Sequence, residues 1–183
     1  MVSRRQQILD VAADLFARRG FHGVSVTDLG QACGISGPAL YKHFASKEAI
    51  LAQMLVSISE ELLAVGLSRV TAAPGPTEAL RRLVDWHVDF ALSHQALIVV
   101  QDRDWQSLPA EARERVRALQ LEYVDLWADQ LRLLQPDLRR DRAQAMAHVA
   151  FGLINSTPHS GRLAPEAMHG LLYEMALRAL GVD

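Results

Sequence analysis

The sequence predicts an all-α fold in two parts: a three-helix domain over residues 1–47 and a larger helical domain over residues 48–183. Three observations predict it. Apolar residues recur at helical spacing through nearly every segment, and no two segments alternate as paired strands do. Serine caps and glycine or proline breakers come at short intervals up to Lys47 and at long intervals after it. Charge divides at the same place: residues 1–47 hold six Lys/Arg against three acids, a net of +3, and the rest carries a net of −5.

The first helix is predicted from Ser3 to Arg19, with Ile8, Val11, Ala12, Leu15 and Phe16 on one face. Gly20 ends it and Phe21 returns as an apolar anchor. Ser25 and Asp28 form a capping-box pattern that starts a second helix, with Val24, Val26, Leu29 and Ala32 on its buried side. Gly34 supplies the left-handed backbone that stops it, and Ser36-Gly37-Pro38 restarts a third. Two short helices joined by a glycine turn suggest a helix-turn-helix. In the last of them Leu40 and Phe44 face inward, which leaves Gly37, Ala39, Tyr41, Lys42 and His43 largely outside. Small residues at its start let the backbone approach base edges in a major groove, and Tyr41 and His43 then meet phosphate. A basic module on an acidic body fits a polyanion at that end.

Ser46 caps the next helix, which places Lys47 where the helix dipole disfavours a cation. A phosphate at that helix end would accept bonds from the backbone and the lysine together; the plain alternative is a solvated surface lysine. Cys33, the single cysteine, reads as a buried structural thiol.

Gly34-Ile35-Ser36, then Pro38-Ala39-Leu40-Tyr41-Lys42-His43-Phe44 and Ser46-Lys47-Glu48, resemble the TetR family of transcriptional regulators over about residues 5–55. The resemblance implies that Tyr41, His43 and Lys47 hold DNA backbone. It places Thr27 and Gly37, Pro38 and Ala39 at the bases, with Ser36 and Lys42 completing the surface. Gly30 departs from the family, which more often has alanine there. Its cost of up to about 1 kcal/mol in helix propensity predicts a less rigid module.

From Ala49 to about Val70 a long apolar stripe (Leu51, Met54, Leu55, Ile58, Leu62, Val65) reads as a lever into the body. Pro74-Gly75-Pro76 breaks it, and Thr77 is the expected cap of a helix bearing Leu80, Leu83, Val84, His87 and Ala91. Further helices are expected near Ile98–Trp105 and over Ala110–Leu134, Arg140–Ser156 and Pro165–Leu180. The Leu97-Ile98-Val99-Val100 run has a strand's composition but no partner strand. No apolar run approaches the roughly 20 residues of a membrane span, and the amino-terminal MVSRRQQ is no signal peptide, so a cytoplasmic protein is expected.

Trp86, Phe90, Trp105, Tyr123, Trp127 and Phe151, with polar His87, Arg103 and Asn155, are the candidate lining of a small-molecule pocket; ordinary core packing is the competing reading of each. Arg103 is the candidate anchor for an acidic end, as in a fatty acid or an acyl thioester. His148, His159 and His169 lack metal-ligand spacing, and His159-Ser160-Gly161 reads as a connection, so no metal or cofactor is expected. The last two helices, Met146–Ile154 and Met168–Ala179, mix small and large apolar residues and are the expected homodimer interface. The expected function is a ligand-responsive, homodimeric repressor released from a palindromic operator in double-stranded DNA by a hydrophobic effector. Control by a protein partner, or no inducer at all, is the alternative. An enzyme ranks third, because the sequence has no G-x-S-x-G elbow, P-loop, G-x-G-x-x-G or His-Glu-x-x-His.

Overall fold

A computed structural model of the chain describes residues 3–160 and 162–182. In chain order its helices are α1 (Arg4–Arg19), α2 (Val26–Ala32), α3 (Gly37–Leu40), α4 (Lys47–Thr71), α5 (Pro76–Ser93), α6 (Gln95–Asp104), α7 (Ala110–Leu134), α8 (Arg140–Ile154), α9 (Thr157–Ser160) and α10 (Pro165–Leu180). A single 3-10 turn covers Trp105–Ser107, and no strand occurs among the described residues. Gly161 of the expected His159-Ser160-Gly161 connection lies outside them; His159 and Ser160 end α9.

The helices pack as two units, each assembled from two stretches of chain: Met1–Ile58 with Ala96–Val116, and Ser59–Gln95 with Arg117–Asp183. This differs from a single division after Lys47. In the first unit Val100, Leu108 and Val116 are buried in the same core as Ile8, Phe16, Leu29, Leu40, Phe44, Leu51 and Leu55. The Leu97–Val100 run that resembled a strand lies in α6, with Ile98 and Val100 buried.

Local chemistry explains the helix ends of this unit. The Ser3 hydroxyl accepts from the Gln6 N–H, and Gly20 at φ 80 closes α1 by donating to the Phe16 carbonyl. The capping box of α2 is complete: Asp28 N–H donates to Ser25 Oγ at 3.1 Å and Ser25 N–H donates to Asp28 Oδ2 at 2.8 Å. Ser36 and Ser46 cap α3 and α4 through the N–H groups of Ala39 and Ala49. Regular α3 ends at Leu40, where one carbonyl accepts from both His43 and Phe44 and tightens the last turn. On α2, Leu29 is buried, but Val26 is only half-buried and Ala32 is exposed, against the expectation that both pack inward.

In the second unit α5 packs against α8 and α10, and α8 against α10. Its core takes Leu80, Leu83, Val84, Trp127, Leu131, Ala147, Ala150, Ile154, Leu172 and Leu180. The α5 cap is Gly75 followed by Pro76, with no side-chain bond, so Thr77 is not the cap. One described helix, α4, is long and apolar enough to cross a membrane, its most apolar stretch having a mean hydropathy of 1.6, contrary to the expectation that none would be. Its Ile50, Leu51, Met54 and Leu55 are buried in the core of the first unit.

Candidate nucleic-acid interface and aromatic cluster

The expected DNA-contacting residues divide by what their side chains already do. Thr27, Pro38, Tyr41 and Lys42 are exposed, Tyr41 at 54 %, and Gly37, Ala39 and His43 are half-buried. The Lys42 ammonium has no hydrogen-bond or ion-pair partner among the described residues, and the residue is exposed, so its charge faces solvent. A Cβ on Gly37 would meet no atom within 4 Å, so the backbone there is open to a close approach. Ser36 is different: its hydroxyl is occupied as the α3 cap.

Lys47 already has partners within the fold. Its ammonium donates to the carbonyls of Phe21 and Val24, both at 2.8 Å, and sits 4.2 Å from the centre of the Phe21 ring. Two of its three protons thus hold the loop between α1 and α2, so it is not a plainly solvated lysine, and one proton remains beyond these two bonds. Arg5, which the sequence offered only as charge, behaves alike. It donates to the His43 carbonyl at 2.6 Å and to Gln53 at 3.2 Å, and its guanidinium lies 4.2 Å from the centre of the Phe44 ring. The signal was present, since Arg5 and Lys47 both stand at helix N-termini, where a cation is disfavoured unless something accepts from it. Arg19 pairs with Asp28 at 3.3 Å, and hydrogen bonds from Ser25 hold the Asp28 carboxyl below its ordinary range.

Gly30 also reads differently in three dimensions. A Cβ there would lie 2.8 Å from the Ile35 carbonyl oxygen and 3.2 Å from the Gly37 nitrogen. The Gly30 carbonyl accepts from Ile35 N–H at 2.9 Å, so α2 and the start of α3 meet backbone to backbone. The missing side chain makes that approach possible, and the expected loss of rigidity is replaced by a close contact.

The pocket candidates separate as well. Trp86, His87, Phe90, Tyr123, Trp127, Phe151 and Asn155 belong to the second unit, whereas Arg103 and Trp105 belong to the first. Arg103 has partners within the first unit. Its guanidinium donates to the Phe16 carbonyl and, at 3.0 Å, to that of Ala17, closing off the end of α1. Asp104, 6 % exposed, orients it through a contact of 3.1 Å.

In the second unit the rings form one cluster around His87. His87 Nε2 lies 3.1 Å from Asn155 Oδ1 and Nδ1 lies 3.3 Å from the Tyr123 hydroxyl. With Asn155 as acceptor the proton sits on Nε2, and Nδ1 accepts from Tyr123. Burial lowers the His87 pKa to about 4, so the ring is neutral at pH 7, and burial pushes the Tyr123 hydroxyl above its ordinary range. Trp127 Nε1 lies near enough to the Tyr123 oxygen to favour its ionised form, yet makes no well-formed hydrogen bond and remains an unpaired buried donor. Trp86 spends its indole N–H on the Leu62 carbonyl at 3.3 Å, and Phe90 lies 6.0 Å from His87.

Comparison with known proteins agrees with both units. The family model for bacterial regulatory proteins of the tetR family matches residues 8–54, and that for the tetracyclin repressor-like C-terminal domain matches residues 73–180. The chain is 31 % identical over 125 residues to the HTH-type transcriptional repressor KstR2 of Rhodococcus jostii (strain RHA1), a match covering 68 % of this chain and 61 % of that protein. The chain therefore spans about three fifths of the length of that curated relative. Among solved structures, a TetR-family transcriptional regulator from Bordetella parapertussis 12822 superposes with a TM-score of 0.84 at 28 % identity, over 94 % of this chain and 93 % of that one. The TetR family regulator PfmR from Thermus thermophilus does so with a TM-score of 0.84 at 27 % identity, over 98 % and 97 %. With a helix-turn-helix at one end and a matching helical body after it, the chain belongs to the TetR family of bacterial regulatory proteins.

Proposed function

We propose that this protein is a DNA-binding transcriptional repressor, homodimeric on a palindromic operator in double-stranded DNA and released by a hydrophobic small molecule. The observation that carries it is the outer surface of α3 and the turn after it, where the side chains of Pro38, Tyr41 and Lys42 stand exposed while the neighbouring cations Arg5 and Lys47 are engaged by backbone carbonyls. Family membership supports it, as does the name of the Rhodococcus relative, a transcriptional repressor. A recognition element of this size reads few base pairs, so two copies related by a two-fold axis are needed. The exposed Val149 of α8 and Leu171 and Met175 of α10, with open space at Gly152 and Gly170, support these helices as the dimer face. Effector binding then biases the dimer between two states of different operator affinity.

Arg103 lends no support to an acidic effector, since its donors are already committed. The second reading, a regulator without inducer, draws on the completeness with which the chain's own rings fill the cluster. An operator selected from random duplex DNA and followed by fluorescence anisotropy tests the assignment. Tyr41→Ala and Lys42→Ala should each weaken binding about tenfold on all sequences, the worth of one charge-assisted contact, with unchanged melting. Wild-type affinity in both variants would overturn the DNA-binding role of this surface.

A further inference from the structure

Phe151 is the accessible member of an otherwise closed set of rings. His87, Tyr123 and Trp127 are at most 3 % exposed, whereas Phe151 is half-buried. Its ring lies parallel to His87, with centroids 4.7 Å apart at 6°, and near-parallel to Tyr123, at 5.4 Å and 21°. Trp127 stands perpendicular to it, at 5.0 Å and 89°, as an end wall. The three walls also touch one another, with centroids 5.7, 5.9 and 6.0 Å apart. The hydrogen bonds that His87 accepts from Tyr123 and donates to Asn155 fix two of them. Trp127 Nε1 is what the packing leaves over: a buried donor without a partner, of which native interiors keep few.

We propose that His87, Tyr123 and Trp127 form a receptor for one planar, uncharged ring, filled by Phe151 in the free protein and taken over by the effector, whose acceptor atom pairs with Trp127 Nε1. The proposal rests on the reading that the second unit takes a hydrophobic effector. Ring faces on one side and a ring edge on another select a flat guest over a flexible chain. An indole N–H only donates, so the guest must bring an acceptor. The hydrogen-bond and ring partners of the three walls include no Asp, Glu, Lys or Arg, and an unpaired charge in such a place is strongly disfavoured. Because Phe151 competes for the slot, the effector's apparent affinity is reduced by the fraction of molecules in which the ring is still seated.

The test uses the full chain with 4-fluorophenylalanine at position 151, observed by fluorine NMR during titration with p-cresol, toluene or hexanoate at millimolar concentration. The expected result is that p-cresol moves the resonance of residue 151 in the otherwise wild-type protein, with toluene binding about tenfold more weakly because it has no acceptor. Trp127→Phe should abolish the difference between p-cresol and toluene, and Phe151→Leu should bind p-cresol more tightly than wild type in calorimetry. An unmoved resonance under saturating p-cresol, an equal response to hexanoate, or a cresol preference that survives Trp127→Phe would overturn the slot. Operator binding without ligand, measured in parallel, reports on the regulator assignment alone. A protein that binds its operator and leaves it with hexanoate would keep that assignment and lose the ring receptor.

Discussion

Lys47, Arg5 and Arg103 spend their charge on backbone carbonyls of segments that lie 23 to 87 residues away in sequence. The Phe16 and Phe21 oxygens among them also accept from the N–H groups of Gly20 and Val24, and a charged donor to such a carbonyl is worth about 1–3 kcal/mol. Lys47→Met keeps an unbranched side chain and removes both bonds. It should lower unfolding free energy by about that amount, read as a lower urea midpoint at unchanged slope; an unchanged midpoint would refute the clasp. His87 acts through its neutrality. Its pKa falls from 6.5 unfolded to about 4 folded, so between those values the unfolded chain binds the proton and the folded chain does not. Stability is therefore fully present above pH 6.5 and declines as pH falls toward 4, by up to about 3 kcal/mol from this residue. Urea midpoints from pH 7 to 4 check it, since His87→Phe should flatten that part of the decline. Serine caps at positions 25, 36 and 46 were legible because a cap bonds within three residues of itself. The cationic clasps were not, because nothing local says which distant carbonyl a long side chain will meet.

At the scale of elements, helical periodicity placed α1, α4, α5, α7, α8 and α10, and tertiary burial decided α6, where apolar Leu97–Val100 by composition alone suits a strand. The helix-turn-helix holds its geometry by backbone contact at Gly30 as well as by the buried side chains of Leu29, Leu40 and Phe44. Gly30→Ala would gain helix propensity in isolation, but here the new methyl meets the Ile35 oxygen at 2.8 Å, a main-chain atom that no rotamer change moves aside. The expected outcome is that α3 shifts, so the variant loses operator affinity while far-ultraviolet circular dichroism stays as in wild type. A variant that binds as wild type and melts higher would show that propensity wins. α6 reaches α1 in a comparable way: Arg103, oriented by buried Asp104, holds the Phe16 and Ala17 carbonyls of α1, so α6 is part of the support for α1.

For the whole molecule, the all-α class and the family were legible in periodicity, caps and one motif, and the division between units was not. The motif stops near Lys47, but the core beneath it is completed by Val100, Leu108 and Val116, each buried and each contributing on the order of 2 kcal/mol. Residues 1–58 expressed alone should therefore have a weak or absent cooperative thermal transition. A fragment in which residues 96–116 are joined back by a flexible linker should recover one, and a sharp transition in the shorter fragment would show that the added segment is dispensable. The same discontinuity bears on how such a regulator can be rebuilt. Exchanging its DNA-binding end for that of a relative by one cut after α3 would graft a foreign surface onto helices shaped for the old one. Re-addressing the protein to a new operator means moving two separate stretches of gene together, so operator choice and the α6–α7 connection are inherited as a pair.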